Sequence, residues 1–210
     1  MTSSTLTLYK LANFSFDAKD ALPAKDTSLQ SFAQRLEDEF VLNGMRRSVE
    51  AVLLVHDHGH PHVLLLRNTA PVNGLPTFTL PGDQLQPDED EVSGLRRILN
   101  VQLAPNSNKD DATAAETTID WKIGECIASW YRPNPEVALY PYLPVHITRP
   151  REFRQTFVVS LPSQLKLGIP SNYQPVAVPL YELYDGEAKY GQQLASLPVA
   201  LSRLQLVCAK

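Results

Sequence analysis

The stretch Leu80-Pro-Gly-Asp-Gln-Leu-Gln-Pro-Asp-Glu-Asp-Glu-Val-Ser-Gly-Leu-Arg-Arg-Ile-Leu-Asn-Val-Gln-Leu103 organises the rest of the chain. It reads as a loop followed by a helix. Pro87 and Asp88-Glu89-Asp90 signal a helix start, where exposed N–H groups and the helix dipole favour negative charge. Val92, Leu95, Leu99 and Leu103 then recur at helical spacing and form the expected buried face. The acidic run Asp88-Glu89-Asp90-Glu91 is explained by that dipole, as a solvated first turn rather than a metal site.

Outward from this segment, Ser28 to Leu42 has a helical pattern, with Ser28 as cap, Gly44 as stop and Leu29, Phe32, Ala33, Leu36 and Phe40 on one face. The ordinary role for Phe32 on such a face is core packing. Ser48–His56 and His62–Arg67 read as two strands of a hairpin across His58-Gly-His-Pro61. Histidines at 56, 58, 60 and 62 have the alternation of a one-faced metal site, but Gly59 and Pro61 interrupt it, and a polar hairpin tip is the simpler expectation. An N-terminal strand is expected within 6–16 and a polar loop over 17–28. Asn68–Thr79 reads as a long exposed connection, and Asn106–Thr118 as a polar insertion. Strands are expected at Trp121–Trp130, Val145–Ile147 and Phe153–Ser160, a short element in Val176–Leu183, and one last helix over Gly191–Val207. The sum is an α/β fold, a mixed sheet with helices on both faces in an α/β/α sandwich.

With 210 residues the chain can bury a full core, and its net charge of −4 gives no general field for nucleic acid. Any RNA binding must therefore rest on local contacts. Arg149-Pro-Arg151-Glu-Phe-Arg154 is the one dense basic cluster; a solvated face is its ordinary explanation, and RNA phosphates or an acidic partner the functional one. Two cysteines, Cys126 and Cys208, make no disulfide framework and no zinc motif, consistent with a reducing compartment such as cytosol or nucleus. The N-terminus lacks the pattern of a secretory signal, and no apolar run approaches a membrane span.

The central segment resembles a Nudix box: Gly, five residues, Glu, seven residues, Arg-Glu, an aliphatic, one residue, Glu-Glu, one residue, Gly. Glu89 and Arg97 match. Asp83 stands at the opening glycine, one place after Gly82, and Ala104 at the closing one. The carboxylates with which that family holds a divalent metal fall on Ile98, Val101 and Gln102. These share one helix face, and a hard cation needs oxygen ligands that Ile and Val do not have. The expectation is a protein with no metal, no cofactor and no catalytic residue. The weaker alternative, a residual hydrolase of nucleoside polyphosphates, would have to work with Glu89 and ligands from outside the box.

Gly44-Met-Arg-Arg-Ser-Val-Glu50, Pro61-His-Val-Leu-Leu-Leu66, Trp130-Tyr-Arg-Pro-Asn134 and Tyr140-Pro-Tyr-Leu-Pro-Val-His-Ile-Thr148 narrow the resemblance. From about Leu6 to Val207 the chain is similar to the small, Nudix-fold subunit of cleavage factor I, the cleavage and polyadenylation specificity factor subunit 5 family of pre-mRNA 3′-end processing. That resemblance implies a nuclear, catalytically silent homodimer. It further implies binding of single-stranded RNA carrying UGUA and docking of a larger subunit through its RNA-recognition-motif (RRM) domain. By position it assigns RNA contacts to Glu50, Phe78, Leu80, Tyr190 and Gly191, and partner contacts to Tyr140 and Tyr142. Two family RNA contacts, a glutamate and an arginine, fall on Ala24 and Phe32, and the first of two adjacent aromatics on Thr77. The ordinary readings are a strand-end Phe78, a turn Tyr190, half-buried strand tyrosines at 140 and 142, and a Glu50 paired with Arg46 or Arg47. The alternative within the same complex is a protein-interaction scaffold that no longer reads RNA sequence. Residues 1–43 are expected as an N-terminal extension packed on a Nudix-like domain of residues 44–210.

Overall fold

The computed structural model describes residues 5–23, 25–105 and 119–209. Its centre is a mixed sheet in the order β10-β4-β3-β8-β7, built from β3 (Arg46–Asp57), β4 (His60–Asn68), β7 (Lys122–Arg132), β8 (Glu152–Ser160) and β10 (Tyr173–Pro179). The β3–β8 pair is parallel and its neighbours are antiparallel. Two short strands, β5 (Phe78–Thr79) and β6 (Gly82–Gln84), pair with β4 and β3.

Side chains alternate along β3, so one strand serves two cores. Val49, Ala51, Leu53 and Val55 pack with Leu95, Ile98, Leu99 and Leu103 of helix α2 (Glu91–Leu103). Val52 and Leu54 face the other way, toward Leu183, Tyr190, Leu194, Leu197 and Leu201 of four short helices, α3 (Leu180–Tyr184), α4 (Glu187–Tyr190), α5 (Gln192–Ala195) and α6 (Leu197–Leu201). Helical elements thus cover both faces of the sheet, as the α/β/α reading requires.

The expected α2 start is present. Asp90 is its cap and accepts from the Val92 and Ser93 N–H groups. Helix α1 (Leu29–Asn43) begins at Ser28 with a reciprocal Ser28–Ser31 capping box and ends at Gly44, whose φ of 77° favours glycine. The β3–β4 hairpin turns through His58 and Gly59, both with positive φ. His56 is not part of the polar tip: it is buried, with Nε2 2.9 Å from the Ala209 carbonyl.

Several expectations are corrected. The last helix is broken: Gly191 has a φ of 85°, Pro198 opens α6, and the segment ends in strand β11 (Gln205–Cys208). Val145–Ile147 is not a strand. The N-terminal region forms two strands, β1 (Thr5–Leu8) and β2 (Phe14–Lys19), separated by a 3-10 turn at Leu11–Asn13. β1 pairs in parallel with β11, and β2 with an unanticipated strand β9 (Leu165–Pro170). The Asn106–Thr118 insertion lies outside the described residues, as does Ala24. Among the described residues no helix is long and apolar enough to cross a membrane.

Candidate nucleic-acid interface

β5 and α4 bring Phe78 and Tyr190 together. Register pairs Phe78 with Arg67 on β4, and the Tyr190 ring meets Phe78 edge-on at 4.9 Å between centroids. Phe78 is half-buried, whereas Tyr190 and Leu80 are buried in the apolar cluster behind it. Arg67, Thr77, Phe78, Val176, Lys189 and Tyr190 line an open depression of about 450 Å³. Tyr190 Oη donates to Glu182 Oε1 at 2.5 Å, and Lys189 Nζ donates to the same oxygen at 2.9 Å. Those two donors hold the Glu182 carboxyl below its ordinary range, while burial and then Glu182 push the Tyr190 phenol up. Lys189 Nζ also sits 4.7 Å from the Tyr190 ring centroid. The depression therefore offers aromatic surface edged by cations, an arrangement suited to a base and its phosphate.

Glu50 belongs to a buried charge chain, and its expected pairing with Arg46 or Arg47 is corrected. Arg46 binds Glu39 and Arg47 binds Glu91. Glu50 instead accepts from Arg154 Nη1 at 2.8 Å and from the Gln193 side-chain amide, two residues beyond Gly191. The parallel register explains this: Ser48 lies level with Arg154 and Glu50 with Thr156, so the Arg154 side chain reaches Glu50 along the same face. Arg154 also binds Glu152 at 2.9 Å, and Glu152 accepts from Arg132 Nε at 2.7 Å. Burial pushes the Glu152 carboxyl up, but Arg154 and Arg132 outweigh it and hold it below the usual carboxylate range. Burial raises Glu50 even with Arg154 beside it. The five predicted RNA contacts thus occupy adjoining parts of β3, the β5–β6 connection and the α4–α5 turn.

Phe32 does not enter the core. It is half-buried, and the guanidinium groups of Arg132 and Arg35 lie 5.3 and 5.8 Å from its ring centroid. The basic cluster at 149–154 is no open patch either. Arg151 forms a two-bond pair with Glu37 at 2.8 and 2.9 Å and stacks 4.0 Å from the Phe40 centroid, while Arg154 is committed to the buried chain.

On α2, Ile98 is buried in the core, Val101 projects outward, and Gln102 holds the peptide of Gly82. That glycine is required, since a Cβ there would lie 2.3 Å from the Val49 carbonyl oxygen. Glu89 is occupied by Arg97 through two bonds of 2.7 Å, which with the Gln86 N–H hold its carboxyl down to about 2.

Tyr140 and Tyr142 stand together on the opposite edge, their ring centroids 6.0 Å apart. Tyr140 is fixed by backbone bonds to Tyr131 in both directions, and Tyr142 is 60% exposed. The pair presents aromatic surface from a proline-bounded segment, Tyr140-Pro-Tyr-Leu-Pro144.

A mixed sheet between helices, with the loop–helix segment packed against its central strand, defines a Nudix-class protein. A Nudix family model, NUDIX_2, described as a nucleotide hydrolase, matches residues 4–204. The chain is 41% identical to the pre-mRNA cleavage factor Im 25 kDa subunit 2 of Arabidopsis thaliana, over 96% of this chain and 94% of that one. It is 40% identical to the cleavage and polyadenylation specificity factor subunit 5 of Dictyostelium discoideum, over 99% and 98%. Among solved structures, a Caenorhabditis elegans Ap4A hydrolase binary complex is 17% identical, with a TM-score of 0.48 over 75% of this chain and 96% of that one. The chain belongs to the family of small, Nudix-fold subunits of pre-mRNA cleavage factor I.

Proposed function

We propose that this protein is a non-catalytic, homodimeric subunit of a nuclear mRNA cleavage and polyadenylation factor, which binds single-stranded RNA of the UGUA type and docks a larger RRM-containing subunit. The observation that carries the non-catalytic reading is the α2 face. Where the Nudix pattern has three carboxylates, this chain has a core isoleucine, an outward valine and a glutamine bound to backbone, and Glu89 is neutralised by Arg97. Such a face supplies little to offset the dehydration of Mg²⁺. The names of the relatives support the processing role, and the depression lined by Phe78 and Tyr190 supports RNA as ligand. Tyr140 and Tyr142 are assigned to the larger subunit. Titration of the full chain with UGUA-containing and scrambled oligoribonucleotides tests the RNA reading, and selective binding of the first is expected. Native mass with capture of nuclear processing factors tests the assembly; a monomer that retains none of them would refute it.

A second reading, a scaffold without sequence-specific RNA recognition, is favoured by one observation. Phe32, at the position of a family arginine, has its ring taken up by Arg35 and Arg132 and offers no donor to a guanine edge. Equal affinity for both oligonucleotides would select it.

A further inference from the structure

We propose that Arg67 is a phosphate contact, holding the backbone of an RNA strand whose base lies against Phe78. The inference rests on the RNA reading of the depression and adds to it a residue and a role. The lining contains two cations, and they differ. Lys189 is committed: its ammonium is bound to Glu182 at 2.9 Å and lies over the Tyr190 ring. Arg67 is exposed on β4 and, among the described residues, its side chain has no hydrogen-bond, ion-pair or ring partner. The pairing of Arg67 with Phe78 across β4 and β5 fixes the cation next to the aromatic ring.

No acidic side chain lines the depression, and the chain as a whole carries −4. Arg67 is therefore a local positive charge that neither a carboxylate nor a neighbouring ring uses. An exposed arginine beside a half-buried ring matches a nucleotide unit, with the planar base on the ring and the phosphodiester at the guanidinium, where two N–H groups can donate to two oxygens. This contact carries no base information. It supplies electrostatic affinity that is equal for every sequence and weakens with salt.

The test measures the affinity of the full chain for a labelled UGUA oligoribonucleotide and a scrambled one across a salt series. Arg67→Gln is expected to weaken both by the same factor and to reduce the slope of log affinity against log salt by about 0.7, the value for one phosphate contact on a single strand. Arg67→Lys keeps the charge and should keep the slope. Lys122→Gln makes the same charge change on an exposed residue of β7 and should leave the slope at the wild-type value. An unchanged slope in Arg67→Gln, or equal losses in Arg67→Gln and Lys122→Gln, overturns the proposal while leaving RNA binding intact. A wild-type chain that binds neither oligonucleotide overturns the RNA reading and this proposal with it.

Discussion

The side-chain amide of Gln102 closes on the peptide of Gly82 from both ends: its Nε2 donates to the Gly82 carbonyl at 2.9 Å, and its Oε1 accepts from the Gly82 N–H at 3.0 Å. Only a group that both donates and accepts can do this. The position that the Nudix pattern gives to a carboxylate has become a link between α2 and the first residue of β6.

Gln102→Glu should therefore destabilise the protein rather than restore a metal site. The ionised carboxylate cannot donate to the Gly82 carbonyl and would face it at hydrogen-bond distance. A half-buried acceptor left without its donor costs about 1–3 kcal/mol. Urea unfolding should show a lower midpoint with an unchanged slope. Added Mg²⁺ should not recover the loss, because Ile98 and Val101 still supply no oxygen. A rise in midpoint with Mg²⁺ would contradict this account.

Glu152 is 1% exposed and lies between Arg132 and Arg154, so its removal leaves the buried Arg132 and the half-buried Arg154 short of their counter-charge. Glu152→Gln is expected to cost about 3–5 kcal/mol, as for a broken buried pair. The damage should reach the candidate interface, since Arg154 also holds Glu50. Thermal unfolding reads the first effect. A drop in affinity for the UGUA oligoribonucleotide, measured where the variant is still folded, reads the second.

The sequence was most informative where periodicity and caps act locally. Helix α2, the Ser28 cap and the His58-Gly59 turn are written in neighbouring residues, and so is the presence of Ile98, Val101 and Gln102 where the Nudix pattern has carboxylates. The partners of Glu50 were not legible, because Arg154 reaches it through a parallel register that joins residues about a hundred positions apart. Leucines at helical spacing over 194–204 suggest one helix, but they are divided among elements: Leu194 lies on α5, Leu197 and Leu201 on α6, and Leu204 in the turn before β11. Strand β9 is weakly written because its partner is β2, near the other end of the sequence, and five-residue alternation around Gly168 is a weak signal. Phe32 fitted a core stripe, but the surface that α1 turns to it carries arginines.

Acid should destabilise the protein in part through Glu89. Its ordinary value of 4.5 is lowered to about 2 in the fold. A carboxyl with a lower value in the folded state contributes stability that is fully present above about pH 4.5 and is lost as pH falls toward 2. Glu89→Gln should remove this part of the dependence and flatten the decline of unfolding free energy in that window. Glu50 acts with the opposite sign. Its raised value makes its contribution largest at low pH and lost as pH rises through the folded value. A wild-type slope retained in Glu89→Gln between pH 4.5 and 2 would assign the acid sensitivity elsewhere.

Phe78 and Tyr190 meet edge-on, yet they should respond differently to mutation. Phe78 is half-buried and presents its ring to the depression, so Phe78→Ala removes a stacking surface. That should weaken UGUA binding by about 1–3 kcal/mol, roughly 5- to 150-fold. Tyr190 lies behind it, with its hydroxyl bound to Glu182 at 2.5 Å. Tyr190→Phe keeps the ring that supports Phe78 and removes only this bond, so RNA affinity should change little while stability falls by about 1 kcal/mol. The two variants, compared by RNA titration and by urea unfolding, separate the contact surface from its support. Equal losses of affinity in both would mean that the Tyr190 hydroxyl contributes to the RNA contact as much as the Phe78 ring does.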